Sequence, residues 1–500
     1  MDNILTYFVQ AVRKHPQKKA IADRERGYTF REVQLLAMQT ARKILEMGCG
    51  CQRIGVFSPH ESSTLISFFA VVYSGGCYVP LDPELPAEKL RSILEDADIR
   101  LVLGSSDSKS LLANAGSGAQ LLVPELQADP EIPDLPIPDA AKDTPLYMVY
   151  TSGSTGKPKG VLKSHGAMRS FIETFAEHFS FTGKEIIGNQ TPFFFDASAK
   201  DIYLMLKTGA TLEVIPRELF MMPPKLIRYL NERRVSYICW VPTALSIVTQ
   251  LNTFQEVMPE TLERVYFVGE AMPVKQLNKW RRALPHIQYV NLYGASEIAG
   301  ISCWYEVREE LPDTAALPMG KALPNCQIYL VDQGQVIREP GRIGEIYYAS
   351  DALALEYFND PEKTAACFAI RDLGNGPQRT FKTGDLAQYD PNGDLVFAAR
   401  NDFQIKHMGH RIELGEIESV ANGLPEIDRC CCLYHQEKMK ITLFCQLSEG
   451  TELAGRDVIR LLRPVLTPYM LPGKVIILPQ LPLNANGKID RQKLKQMLIK

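Results

Sequence analysis

Apolar runs separated by stretches of helical period follow one another from one end of this chain to the other. Examples are Arg53–Ser58, Leu65–Tyr73, Leu101–Leu103, Leu262–Val268 and Tyr289–Leu292. Alternating strands and helices predict α/β layers with largely parallel sheets. The first residues alternate apolar with polar positions and predict an opening helix. They lack the unbroken apolar core of a signal peptide. A Pro- and Asp-rich stretch from Pro124 to Pro145 has few apolar residues and predicts a surface linker. A further boundary is expected near Arg400–Gln404. After it the pattern turns α+β, with a strand-like Thr442–Cys445 and a helical Arg456–Leu462. The expected organisation is a large N-terminal domain, residues 1–400, and a small C-terminal domain, residues 401–500.

Five hundred residues exceed what one compact core holds, which agrees with two domains. The net charge of −3 leaves no field for nucleic acid or an anionic membrane, so neither partner is expected. No apolar run approaches the roughly 20 residues that span a bilayer. The cysteines are scattered without a C-x-x-C pair. Cys430, Cys431 and Cys432 are consecutive, and on a strand neighbours point to opposite faces, so they cannot converge on one metal. They read as small buried hydrophobes in a reducing compartment, and a cytoplasmic location is expected.

The chemistry is concentrated in Tyr147-Met-Val-Tyr-Thr-Ser-Gly-Ser-Thr-Gly-Lys-Pro-Lys-Gly-Val-Leu162. An apolar strand runs into glycines and hydroxyls, then two lysines, then a second apolar strand. Glycines let backbone N–H groups turn toward one point and form an anion nest. Thr151, Ser152, Ser154 and Thr155 add hydroxyl donors around Gly153 and Gly156, and Lys157 adds charge. A polyphosphate suits such a loop. It is not a Walker loop, because Pro158 follows the lysine and a strand, not a helix, comes next.

This loop resembles the phosphate-binding motif of the adenylate-forming superfamily: acyl- and aryl-CoA synthetases, luciferases and adenylation domains of nonribosomal peptide synthesis. Further motifs resemble that superfamily in order along nearly the whole chain. They are Tyr73-Ser-Gly-Gly-Cys-Tyr-Val-Pro-Leu-Asp-Pro83, Asn291-Leu-Tyr-Gly-Ala-Ser-Glu297 and Thr383-Gly-Asp385. Arg400-Asn-Asp-Phe-Gln-Ile-Lys406, His410-Arg-Ile-Glu-Leu-Gly-Glu-Ile-Glu418 and Asn486-Gly-Lys-Ile-Asp-Arg491 follow. The resemblance implies an ATP-dependent, AMP-forming acid–thiol ligase, with ATP and Mg2+ as cofactors and a mobile C-terminal domain.

The resemblance also implies roles. Glu297 would hold Mg2+, which favours a carboxylate plus phosphate oxygens. Asp385 would accept the ribose hydroxyls, and Arg400 would contact the ribose. Asn291, Leu292, Tyr293, Gly294, Ala295 and Ser296 match the adenine-binding loop, with Gly269, Glu270 and Ala271 as its other wall. Lys488 would insert between the reacting carboxylate and the α-phosphate. Asp402 matches the hinge on which the small domain swings between half-reactions. Two departures stand out: Ala295-Ser296 replaces a more usual Pro-Thr, and Ala399 replaces a glycine before Arg400.

The stretch Phe195-Asp-Ala-Ser198 resembles the amino-acid branch, in which the aspartate meets the substrate's α-ammonium. Asp196 as a helix N-cap is the plainer alternative. Motif alignment adds Ala197, Lys200, Cys239, Tyr266, Val268, Leu292, Gly300 and Ile301 as pocket positions. Lys200 suggests an acidic side chain on the substrate, or else pairing with Asp201 or Asp196. Val265-Tyr-Phe-Val-Gly-Glu-Ala-Met-Pro-Val274 is similar to D-alanine–carrier protein ligases. The expected activity is activation of an amino acid and transfer to a phosphopantetheinylated carrier protein in trans. A D-alanine ligase and an acyl- or aryl-CoA ligase are the alternatives.

Overall fold

The computed structural model of the chain describes residues 2–152, 158–400, 404–436, 438–482 and 489–499. It is a mixed α/β protein. Its residues divide into two compact units: Met1–Pro83, Asp96–Val149 and Gly160–Asn401 in one, and Glu84–Glu95, Tyr150–Lys159 and Asp402–Lys500 in the other.

The first unit is built on three sheets. In the nine-stranded sheet the order is Lys321–Ala322, Cys303–Glu306, Gln288–Tyr293, Arg264–Val268, Tyr237–Trp240, Ile186–Asn189, Thr211–Val214, Lys19–Ala22 and Gly27–Thr29. Its central pairings are parallel, and the strands at both edges run antiparallel. Apolar side chains bury both faces, as a central parallel sheet requires. Ile238, Trp240, Val265 and Phe267 enter one core; Cys239, Tyr266, Val268 and Leu292 enter the other. A seven-stranded sheet carries Cys77–Leu81, Arg53–Phe57, Leu101–Leu103 and Gln120–Leu122 in parallel pairings, with Pro145–Thr151 and Lys159–Ser164 beyond them.

The third sheet departs from the expected parallel layers. Gln335–Ile337, Cys326–Asp332, Gly344–Ser350, Pro377–Tyr389 and Phe368–Asp372 pair antiparallel, with Leu395–Arg400 added against Pro377–Tyr389. The cause is local. Short turns at Gln333-Gly334 and Asp390–Gly393 fold Gln335–Ile337 back on Cys326–Asp332 and Leu395–Arg400 back on Pro377–Tyr389, with Gly334 at φ +81° and Gly393 at φ +79°.

Helix ends are written in the sequence. Thr29 caps Phe30–Glu46 in a reciprocal box: its hydroxyl accepts from the Glu32 N–H, and the Glu32 carboxylate accepts from the Thr29 N–H. Ser164 caps His165–His178 by accepting from the Ala167 N–H. The opening helix is Leu5–Lys14. Between Leu122 and Pro145 there is neither helix nor strand, but the segment is no loose linker. Ala128, Ile132, Leu135 and Ile137 pack against the core, and Arg42 donates to the Pro133 carbonyl.

In the second unit, Ile427–His435, Lys440–Leu447 and Lys474–Ile477 form a three-stranded sheet, beside the hairpin Gln404–His407 and His410–Glu413. Cys430 and Cys432 face one small core, and Cys431 faces another with Phe444 and Leu494. Among the described residues no three His, Cys, Asp or Glu side chains are grouped to hold a metal. No described helix is long and apolar enough to cross a membrane.

Candidate active site

Several predicted positions lie on or just after two adjacent parallel strands, Arg264–Val268 and Gln288–Tyr293, toward the end where ligands of open α/β sheets are bound. Register explains the gathering. Cys239 lies opposite Tyr266, and Val268 lies opposite Leu292, on adjacent parallel strands. Their period-two spacing puts all four side chains on one face. Gly269, Glu270 and Ala271 follow the strand Arg264–Val268, and Gly294, Ala295 and Ser296 follow Gln288–Tyr293. Glu270 accepts from the Thr243 backbone N–H at 3.0 Å and from its hydroxyl at 2.5 Å, which ties that loop down.

Asp385 is buried and doubly engaged. Arg400 donates to its Oδ1 at 2.5 Å, and the Tyr293 hydroxyl donates to Oδ2. The antiparallel ladder sets this up, because Asp385 and Arg400 are direct cross-strand partners. Asn291 lies on the opposite face from Leu292 and donates to the Pro318 carbonyl at 2.7 Å.

Glu297 is fully buried. The Tyr357 hydroxyl donates to its Oε1 at 2.7 Å, and its backbone carbonyl accepts from the Ala354 N–H. A carboxylate is the ligand type that Mg2+ prefers. The chain then turns through Gly300 at φ +74°. A Cβ there would lie 2.2 Å from the Phe171 ring, and one at Gly294 would lie 2.5 Å from the Gly300 carbonyl oxygen. Glycine is required at both. Ile301 follows, buried.

Asp196 opens the short 3-10 turn Asp196–Ser198 ahead of the helix Ala199–Thr208, with Ala197 inside the turn. Its side chain caps nothing. Instead Oδ1 accepts from the Tyr147 hydroxyl at 2.8 Å and from the Lys163 ammonium at 2.5 Å. The Lys163 side chain is 0% exposed and that of Asp196 is 12% exposed. Lys163 also donates to the Ile298 carbonyl at 3.2 Å. Burial raises the pKa of Asp196, an effect Glu297 adds to and the Lys163 and Tyr147 contacts oppose. Burial likewise lowers Lys163, against the pull of Asp196 and Glu297.

Lys200 does pair with Asp201, at 3.0 Å with both buried, and also donates to the Cys239 carbonyl. Asn189 holds the other Asp201 oxygen, and His60 bonds Asn189 in turn. The lysine therefore has its anion within the chain, and the motive for an acidic substrate side chain is lost.

In the glycine-rich loop, the Thr151 hydroxyl is buried with no partner among the described residues. Within the second unit, the Ser152 hydroxyl donates to the Arg411 carbonyl and accepts from the Glu413 N–H. Gly153, Ser154, Thr155, Gly156 and Lys157 lie outside the described residues, as do Asp402 and Lys488. Sequence reasoning missed Lys163, Tyr147 and Tyr357. The available signal for Lys163 was a charge following the apolar run Gly160-Val-Leu162 within one strand.

The fold and these positions belong to a known class. The AMP-binding enzyme family matches residues 8–358, and the AMP-binding enzyme C-terminal domain matches residues 416–488. The chain belongs to this family, within the adenylate-forming superfamily. It is similar to gramicidin S synthase 1 of Brevibacillus brevis, 30% identical over 494 residues, covering 98% of this chain and 44% of that protein. It is also similar to tyrocidine synthase 1 of Brevibacillus parabrevis, 31% identical over 499 residues, with 98% and 44% covered. The chain thus spans less than half the length of these curated relatives. Two solved structures share the fold. A nonribosomal peptide synthetase protein containing adenylation and PCP domains has a TM-score of 0.85 at 24% identity, covering 99% of this chain and 84% of that one. The Vibrio cholerae adenylation domain AlmE, in complex with glycyl-adenosine-5'-phosphate, has a TM-score of 0.83 at 21% identity, with 100% and 98% covered.

Proposed function

We propose that this chain activates a small carboxylic acid with ATP, forming an acyl-AMP and releasing pyrophosphate. The acyl group then passes to the phosphopantetheine thiol of a carrier protein. The observation that carries this reading is the pair of buried carboxylates, Glu297 after the strand Gln288–Tyr293 and Asp385 within the strand Pro377–Tyr389, in a chain of the AMP-binding family. Under it, Asp385 and Arg400 bind the ribose, and the ring of Tyr293 lies against the base. Glu297 would hold Mg2+, which when bound neutralises phosphate charge. The loop containing Thr151 and Ser152 cradles the phosphates, and Lys488 stabilises charge at the reacting carboxylate, where it counts in the transition state. The small C-terminal domain, residues 401–500, moves about Asp402.

The peptide-synthase names of the relatives support an amino acid as the acid. The adenylation–PCP structure supports a carrier partner. The test is acid-dependent ATP–pyrophosphate exchange across amino acids, including D-alanine, glutamate and aspartate, and across carboxylic acids of matched size. A phosphopantetheinylated carrier and coenzyme A are then offered in parallel as acceptors. Acid-dependent exchange, and label on the carrier rather than on coenzyme A, are expected. ATP binding without exchange for any acid would mark a nucleotide-binding sensor instead.

A further inference from the structure

We propose that Lys163 is a specificity-determining residue: its ammonium occupies Asp196, so the site prefers an acid with no cationic group next to its carboxylate. The inference rests on the adenylation reading and narrows the acid it takes.

An aspartate can select an ammonium when its charge is available to one. Here Oδ1 of Asp196 already accepts from Lys163 at 2.5 Å and from Tyr147 at 2.8 Å. Lys163 cannot step aside into water, because its side chain is 0% exposed. Its remaining contact, to the Ile298 carbonyl at 3.2 Å, anchors it from the other side. The strand Lys159–Ser164 fixes its backbone, and the helix capped by Ser164 begins two residues later. A substrate ammonium at Asp196 would bring a second buried cation beside Lys163, and Glu297, the other carboxylate acting on this pair, is assigned to Mg2+. Like charges in such a place repel strongly. A hydroxyl, a keto oxygen or a plain methylene at the same position leaves the ion pair intact. Lys163 and Asp196 together present a neutral surface to the substrate.

The experiment measures kcat/KM for exchange on matched sets, each with an amino acid, its 2-hydroxy counterpart and the unsubstituted acid. One set is alanine, lactate and propanoate; another is leucine, 2-hydroxy-4-methylpentanoate and 4-methylpentanoate. Three proteins are compared: wild type, Lys163→Met, and the charge-neutral double variant Lys163→Met/Asp196→Asn. In wild type the amino acid should be at least tenfold poorer than its partners. Lys163→Met should shift the ratio toward the amino acid by tenfold or more, because Asp196 is released. The double variant should not show that shift. Should the single variant fail to fold, the wild-type ratio and the double variant decide. A wild type that prefers the amino acid in every active set overturns the proposal while leaving adenylation intact, and so does a Lys163→Met ratio equal to wild type. Exchange with no acid at all overturns the adenylation reading and this inference with it.

Discussion

Single hydroxyls and imidazoles carry consequences that can be measured one at a time. Tyr357 donates to Glu297, the carboxylate assigned to Mg2+. Tyr357→Phe removes that bond and leaves the carboxylate less well oriented. The Mg2+ concentration giving half-maximal exchange should rise severalfold, since partners behind a metal ligand tune affinity by about 10–100-fold. An unchanged Mg2+ titration would count against Glu297 as the ligand. Two buried histidines set the acid limit of stability. Burial lowers His60 and His165 to about 4, against an ordinary value of 6.5. His165 Nδ1 accepts from the Ile4 N–H at 3.1 Å, a bond only the unprotonated nitrogen can make. Both are thus neutral when folded, while the unfolded chain takes up protons near pH 6.5. Stability is complete above that pH and is lost as pH falls from 6.5 toward 4, by up to roughly 3 kcal/mol per histidine. Thermal midpoints across this range should fall steeply, and His165→Leu should flatten the slope though it lowers the whole curve.

Elements show where the sequence speaks and where it is silent. The turn from Glu297 to the strand Cys303–Glu306 works only because Gly300 has no side chain. Gly300→Ala would meet Phe171 and force a positive φ, a combined cost of about 2 kcal/mol or more. A denaturant midpoint should show the loss, and adding Phe171→Leu should recover part of it by clearing the clash but not the strain. An unaltered midpoint would mean that the turn re-forms elsewhere. Strands such as Arg264–Val268 were legible because a sheet buried on both faces leaves an unbroken apolar run. The same uniformity hides the identity of Ser62–Tyr73, a helix buried on every side, in which no period survives. The antiparallel sheet from Cys326 to Arg400 went unread because its strands alternate buried with half-exposed positions and their signal lies in the turns. At the site, residues carried by contiguous motifs could be assigned expected roles. The partners that bind Asp196, Lys163 and Tyr147, depend on strand pairing that no linear motif encodes, whereas Asp201 beside Lys200 could be named from the sequence.

At the scale of the whole molecule the proposed reaction has two halves, which substitution should separate. Lys488→Ala is expected to abolish exchange while ATP binding stays within roughly tenfold, about 1.4 kcal/mol. Exchange near the wild-type rate would remove Lys488 from the mechanism. Asp402→Pro fixes φ near −65° and should impair either exchange or carrier loading more than the other. Equal losses in the two assays would argue against a hinge there.

The sheet order bears on how the molecule is made. Lys19–Ala22, translated well before its partner, pairs with Thr211–Val214, Ile21 lying opposite Leu212. Lys18 donates to the carbonyls of Gly183 and Gly209. The opening hairpin therefore has its neighbour in the sheet only after roughly 190 further residues have left the ribosome, about 10–40 s at ordinary elongation rates. Throughout that interval the strand Lys19–Ala22 exposes an unpaired edge of Ala20 and Ile21, the kind of surface that nascent-chain chaperones cover. A ribosome stalled near residue 150 should present the hairpin of Lys19–Ala22 and Gly27–Thr29 in a protease-sensitive state, and one stalled past residue 250 in a resistant one.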